Sequence, residues 1–333
     1  MFQVSWRLDR SARRLSITAP WQHPSAKRLD YTSFSDWIQK NALSPEVQVY
    51  WRYLAEADMC ANSESFSALE VMHQLGSIGG LAQLETADSE FFVEGAQTIP
   101  QHIADELDGL VYLNAPVRWL RLQNSQVQVV TDQGDFYGKR VILALPPQLI
   151  EKMSFDSALS PHFNQRPRHP VLGKVVKTVV VYESAWWRGL GLSGAADTPG
   201  EPIEFLADTS ASEGCGVLVA LASGSNAVKL SQMDEEARKT TVLSHIHKVF
   251  GAAPFSPIGF FSMDWINEQY SYGGYASRRT VGGWVNEQTT LARSIGLIHF
   301  ADTETATEWR SYMEGALQSA ERASAEVAMA ISR

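Results

Sequence analysis

Apolar residues in the first part of the chain return every three or four positions. From Phe34 to Lys40 and from Val47 to Met59 they fall on one stripe, which predicts two helices. Thr32-Ser33 and Ser44-Pro45-Glu46 are start signals, because a hydroxyl can cap the first free N–H groups and Pro suits the first helical position. Residues 1–88 are therefore predicted to be mostly helical, with a break at Gly76–Gly80, and a further helix is predicted over 98–108. The period then shortens. Leu110–Leu113, Val117–Leu122, Gln126–Thr131 and Arg140–Leu145 predict short strands, with turns at Asn124-Ser125 and Gln133-Gly134. Within the last of these, Val141–Leu145 is apolar throughout and closed by Pro146-Pro147, which predicts a strand buried on both faces. Strands over 174–182 and 217–222, a helix over 234–250 and a last helix from about Tyr312 to Ile331 complete the pattern. Helical and strand blocks alternate, so the fold class is α/β with α+β elements.

Composition narrows the setting. The chain has 333 residues, 44% hydrophobic and 20% charged, a globular balance. A net charge of −9 argues against a general nucleic-acid surface. Two cysteines, Cys60 and Cys215, are too few and too far apart for a disulfide framework or a metal site, and make a reducing cytoplasm the expected location. The first ten residues carry charges where a signal peptide needs an apolar run, and no stretch has the apolar length of a membrane span.

Several positions carry candidate chemistry. With period two, Lys177 shares a strand face with Val175, Val179 and Val181. It is either a gatekeeper on an edge strand or a buried lysine lining a cavity. Ser311-x-x-Glu314 matches a capping box, which places a helix N-terminus at Tyr312, suited to a developing anion. Gly189–Gly194 satisfies G-x-G-x-x-G, but Ala195–Gly200 cannot start a helix after it, so it is not a nucleotide loop. His245 and His247 are two apart on a predicted helix and point to different faces, so they are not a metal pair. Arg278, Arg279 and Arg310 either select a substrate carboxylate or are solvated surface residues.

The run Gly296-Leu297-Ile298-His299-Phe300-Ala301-Asp302-Thr303-Glu304 through Tyr312-Met313-Glu314-Gly315-Ala316 resembles the C-terminal signature of the flavin-containing amine oxidases. Asp264–Tyr275 resembles the motif before it, Gly173–Tyr182 the segment that carries the family's lysine, and Phe92–Pro100, Asn114–Val117 and Val141–Pro147 earlier motifs. The likeness runs from about Ala19-Pro20-Trp21 to the end. It implies an incomplete Rossmann-like FAD-binding domain, residues 89–165 and 268–333, and a mixed-sheet substrate domain, residues 1–88 and 166–267.

It also implies roles. Lys177 holds a water beside the flavin, Tyr275 and Tyr312 flank the amine, Trp265 packs beside the ring, and the Met313 backbone meets it. Val117 meets adenine, while Asp302, Thr303 and Glu304 lie near the cofactor. Gly274 stands where a flavin-bonding cysteine occurs, so the flavin is expected to be non-covalent. Glu94 and Asp302 replace family glycines, and a carboxylate at Asp302 is expected to repel phosphate.

The family's opening strand, glycine-rich turn and helix have no counterpart in this sequence. Something on the order of a hundred residues is expected before Met1, on a separate FAD-binding chain or in a longer reading frame. The implied function is oxidation of an amine to an imine, with dioxygen reduced to hydrogen peroxide. The alternatives are a non-catalytic paralogue acting as an interaction partner, or a related FAD-dependent desaturase or oxidase.

Overall fold

The computed structural model describes residues 2–87, 89–123, 125–164, 171–275 and 277–332; Asn124, half of one predicted turn, lies outside them. Helices dominate the start: α1 (Phe2–Ala12), α2 (Ala26–Asp30), α3 (Phe34–Asn41), α4 (Pro45–Met59), α5 (Ala68–Ile78), α6 (Leu81–Thr86) and α7 (Thr98–Glu106). The predicted caps do the predicted work. Ser33 Oγ accepts from Asp36 N at 3.1 Å and Ser44 Oγ from Val47 N at 3.3 Å, with Pro45 opening α4.

The chain continues with β1 (Val117–Gln123), β2 (Gln126–Thr131), β3 (Gly134–Gly138), β4 (Val141–Leu143), α8 (Pro147–Ile150), β5 (Ser154–Phe155) and α9 (Ser160–Phe163). Next come β6 (Val171–Leu172), β7 (Val175–Tyr182), α10 (Trp186–Gly189), β8 (Ala196–Asp197), β9 (Phe205–Asp208), β10 (Gly216–Ser223), α11 (Gly224–Ser231) and α12 (Glu235–Phe250). Last are β11 (Gly259–Asp264), β12 (Ser277–Arg278), α13 (Gly283–Glu287), β13 (Ile298–Phe300), a 3-10 turn at Thr303–Thr305 and α14 (Met313–Ile331). Parallel and antiparallel pairings are both present, so the α/β class with α+β elements holds.

Two compact units form. The first comprises Met1–Val4, Pro24–Val71 and His169–Asn286. Its sheet runs β11-β7-β10-β9-β8, antiparallel throughout. One face is closed: Val176, Val180, Tyr182, Leu218, Ala220 and Ala222 pack against Leu230 of α11 and Val242, Ile246 and Phe250 of α12. Asp234 caps α12 through a 2.8 Å bond from Ala237 N.

The second unit comprises Ser5–His23, Met72–Arg168 and Glu287–Arg333. It holds a sheet ordered β3-β2-β1-β5 and the parallel pair β4 and β13. Leu120, Val127, Leu143, Ile150, Leu159, Ile298 and Phe300 form its core. Two expectations fail here. Leu110–Leu113 is not a strand: among the described residues no strand pairs with it, left-handed Gly109 and Asn114 bracket it, and its side chains are exposed. The Val141–Leu145 run is not buried on both faces, because β4 pairs with β13 alone among the described residues and Ile142 stays exposed. Gly189–Gly194 lies between α10 and β8, with no helix after it.

Candidate active site

In the first unit, β7 lies inside the sheet, between β11 and β10. Lys177 pairs with Leu221 on one side and Met263 on the other, and Leu221 in turn with Phe205. An ammonium group thus stands in an apolar row, on the face that α11 and α12 leave open. This corrects both readings of Lys177: it is on no edge strand, and it is exposed rather than buried.

The start of β7 gathers the other candidates of this unit. Trp265 N donates to Val175 O at 3.2 Å, and Gly274 N to Gly173 O at 3.0 Å. Gly273 takes φ +151°, and a Cβ on it would lie 2.3 Å from Gly173 O, so only glycine lets the two segments meet. Gly274 faces Trp265, whose Cβ would sit 3.8 Å from a Cβ on that glycine. Tyr275 is 53% exposed and its Oη donates to Ala57 O, near the end of α4, at 2.6 Å. Burial pushes the adjoining Cys60 thiol up to about 12, so it is no nucleophile at neutral pH.

In the second unit, β13 runs into the 3-10 turn, and Asp302 caps it. Its Oδ1 accepts from Glu304 N at 2.6 Å, while its own N donates to Thr305 Oγ1 at 3.2 Å. The capping box therefore sits at Asp302–Thr305 and not at Ser311–Glu314. The reason is Thr303. Its Oγ1 accepts from Ser311 N at 2.7 Å and donates to Tyr312 O at 3.0 Å, which draws Ser311 into the left-handed region. The helix then begins one residue late: α14 starts at Met313, Tyr312 is its N-cap, and no side chain caps it. Gly315 in the first turn is required, since a Cβ there would lie 2.3 Å from Trp309 O and 2.8 Å from Thr303 Oγ1.

Tyr312 packs edge-on against Trp309, ring centroids 5.5 Å apart. Met313 is half exposed, Glu304 is buried, and Val117 opens β1 opposite Thr131 with its side chain partly exposed. One group of predicted residues therefore gathers in each unit: Trp265 and Tyr275 around the start of β7, with Lys177 further along that strand, and residues 302–313 around Thr303.

The three arginines answer to neither sequence reading. Arg278, Arg279 and Arg310 are at most 2% exposed. Arg278 Nε contacts Met59 Sδ at 2.7 Å and lies 4.0 Å from Glu70 Oε1, whose partner oxygen accepts from Trp284 Nε1. Arg279 stacks on Trp284, 4.1 Å from the ring centroid. Arg310 Nη1 donates to His73 Nδ1 at 2.9 Å. For Arg278 and Arg310 the sequence hid these pairings because the partners lie more than two hundred residues upstream, on helices whose stripes read as ordinary core. His245 is buried and His247 exposed on the same helix, and among the described residues no His, Cys, Asp and Glu group forms a metal site.

FAD is the group that the resemblance implies, and the residues fit one end of it. The uncapped N-terminus of α14 offers backbone N–H groups and the positive end of the helix dipole, which suit the electron-rich edge of a flavin ring. For the diphosphate, the described residues contain no strand followed by a glycine-rich turn and a helix.

Residues 3–328 match the family described as flavin containing amine oxidoreductase. An L-amino acid dehydrogenase of Synechocystis is 31% identical over 322 residues, covering 96% of this chain and 68% of that protein. A putrescine oxidase of Kocuria rosea is 28% identical over 342 residues, covering 96% of this chain and 70% of its own. A solved structure of a putrescine oxidase double mutant superposes with a TM-score of 0.90 at 29% identity, over 100% of this chain and 75% of that one. With its mixed sheets and its helix end suited to a flavin ring, the chain belongs to the flavin-containing amine oxidases, a family whose cofactor is FAD and whose reactants are amines and dioxygen.

Proposed function

We propose that this chain supplies the amine-binding and flavin-ring-binding part of an FAD-dependent amine oxidase, and that an N-terminal FAD-binding half completes it. Residues 1–88 and 166–267 serve the amine, residues 89–165 and 268–333 the cofactor. What FAD supplies when bound is two-electron chemistry: removal of hydride from the carbon bearing the amine, and reduction of dioxygen to hydrogen peroxide. Lys177 Nζ holds a water. Tyr275 and Tyr312 each present a ring to the neutral amine and exclude solvent from it. Trp265 packs beside the flavin ring, Thr303, Glu304 and Met313 hold its other side, and Val117 meets the adenine. Asp302, already turned into its own backbone, keeps its charge from the phosphates. Gly274 carries no nucleophile, so the flavin is held without a covalent bond. Two cysteines outside any disulfide suit a reducing compartment, the cytoplasm.

The observation that carries this reading is Lys177, an ammonium in the middle of an apolar row on an open sheet face. A second supports another half: Phe91, Val93, Leu110 and Leu113 stand 70 to 85% exposed, large apolar side chains that a partner would cover. Co-expression with a glycine-rich βαβ half is expected to give a yellow protein that forms peroxide from amines. A colourless co-purified pair would overturn the proposal.

The substrate is an amine without a carboxylate, because Arg278, Arg279 and Arg310 are buried on partners of their own. The likeness to an L-amino acid dehydrogenase favours the other substrate class. A peroxide assay across monoamines, diamines and L-amino acids decides between them.

A further inference from the structure

The segment that ends at Tyr312 adopts a backbone that its residue types disfavour. Trp309 has φ +51° and Ser311 φ +76°, both in the left-handed region, where a Cβ is costly. Such a pair persists only where the surroundings fix it, and here α5 does so from one side. Trp309 N donates to Ser77 O at 3.0 Å, and Gln74 Nε2 donates to Arg310 O at 2.8 Å. Arg310 Nη1 donates to His73 Nδ1 at 2.9 Å.

His73 Nε2 donates to Ile17 O at 2.7 Å. A carbonyl only accepts and a guanidinium only donates, so these two partners assign the ring: neutral, with its proton on Nε2 and its lone pair on Nδ1 facing the arginine. His73, Gln74 and Arg310 are each at most 3% exposed, so each bond replaces one that water cannot supply. From below, Thr303 Oγ1 holds Ser311 N.

We infer that His73 and Gln74 of α5 are positioning residues for Tyr312: by clamping Arg310 they hold the left-handed pair around it and fix the aromatic ring at the start of α14. This rests on the reading that Tyr312 meets the amine. The role belongs to residues that neither touch the amine nor share a motif with Tyr312.

The test uses trypsin on the full chain, because Arg310 is a trypsin site only when the clamp opens. His73→Leu deletes the acceptor. It is expected to release the peptide that begins at Ser311 about tenfold faster, with cleavage after other Lys and Arg residues unchanged. His73→Asn, whose Oδ1 falls near the place of Nδ1, is expected to restore protection. Gln74→Met gives the same readout from the other arm if His73→Leu does not fold. Unchanged release after Arg310, or equal acceleration at every site, would overturn the clamp.

With the N-terminal half and FAD present, His73→Leu is expected to raise KM for the amine about tenfold with kcat little changed, and His73→Asn to reverse this. Tyr312→Ala separates the two claims. If it leaves KM unchanged while His73→Leu still opens Arg310, the clamp stands and the role of Tyr312 falls.

Discussion

The two units handle apolar sheet surface in opposite ways. In the first, one face of the five-stranded sheet is closed by α11 and α12, and the other, where Val175 and Val219 are buried, shows one exposed charge, Lys177. In the second, β13 is fully buried while β4 beside it is not, and the Phe91–Leu113 stretch shows exposed apolar side chains interspersed with exposed acids, Glu94, Asp105, Glu106 and Asp108. The contrast is one of arrangement: a single charge set among paired apolar neighbours in the first unit, apolar side chains mixed with four acids in the second.

That contrast can be broken at several points. Leu218→Ala on the closed face is expected to cost about 3 kcal/mol in urea unfolding, since the cavity lies inside a packed cluster. A loss under about 1 kcal/mol would mean that the face is not closed in solution. Gly315→Ala is expected to cost about 2 kcal/mol, because its methyl must displace the Trp309 carbonyl; an unchanged melting temperature would refute the close approach. Lys177→Met is expected to leave stability within about 0.5 kcal/mol, because the residue is exposed, yet to slow turnover about tenfold once FAD is bound. Stopped-flow reduction of the flavin reads this, and unaltered rates would remove Lys177 from the chemistry.

A pH effect belongs to the first unit. Burial lowers the pKa of His245, outweighing the carboxylate of Glu201 nearby. The fold prefers the neutral ring, so this stability is complete above the ordinary imidazole value and is lost as pH falls below it. Urea midpoints are expected to drop between about pH 8 and about pH 5, and His245→Gln to flatten that slope. The smallest effect is expected at Leu110→Ser: a change within about 0.5 kcal/mol for the chain alone, together with weaker capture of an N-terminal half. Equal capture would take Leu110 out of that surface.

What the sequence revealed was local. Ser33, Ser44 and Asp234 cap helices because a cap needs only the next three residues. What it hid depends on distant strands and helices. Lys177 leaves the edge only once β10 and β11 flank β7. Arg278 and Arg310 go inside because Met59, Glu70 and His73 wait there. Ser311–Glu314 matched a capping pattern and lost to one hydroxyl eight residues upstream. Leu110–Leu113 has the composition of a strand and, among the described residues, no strand beside it.

Thr303 and Gly315 are chemically unlike, yet they occupy one space: the hydroxyl lies 2.8 Å from where the glycine's Cβ would be. Both therefore guard one turn. In a saturation library, position 303 is expected to accept serine alone, because the hydroxyl must both give and take a bond, and position 315 to accept glycine alone, because the Trp309 carbonyl crowds its Cβ whatever stands at 303. Two intolerant positions twelve apart would be the mutational signature of the place where the helix begins.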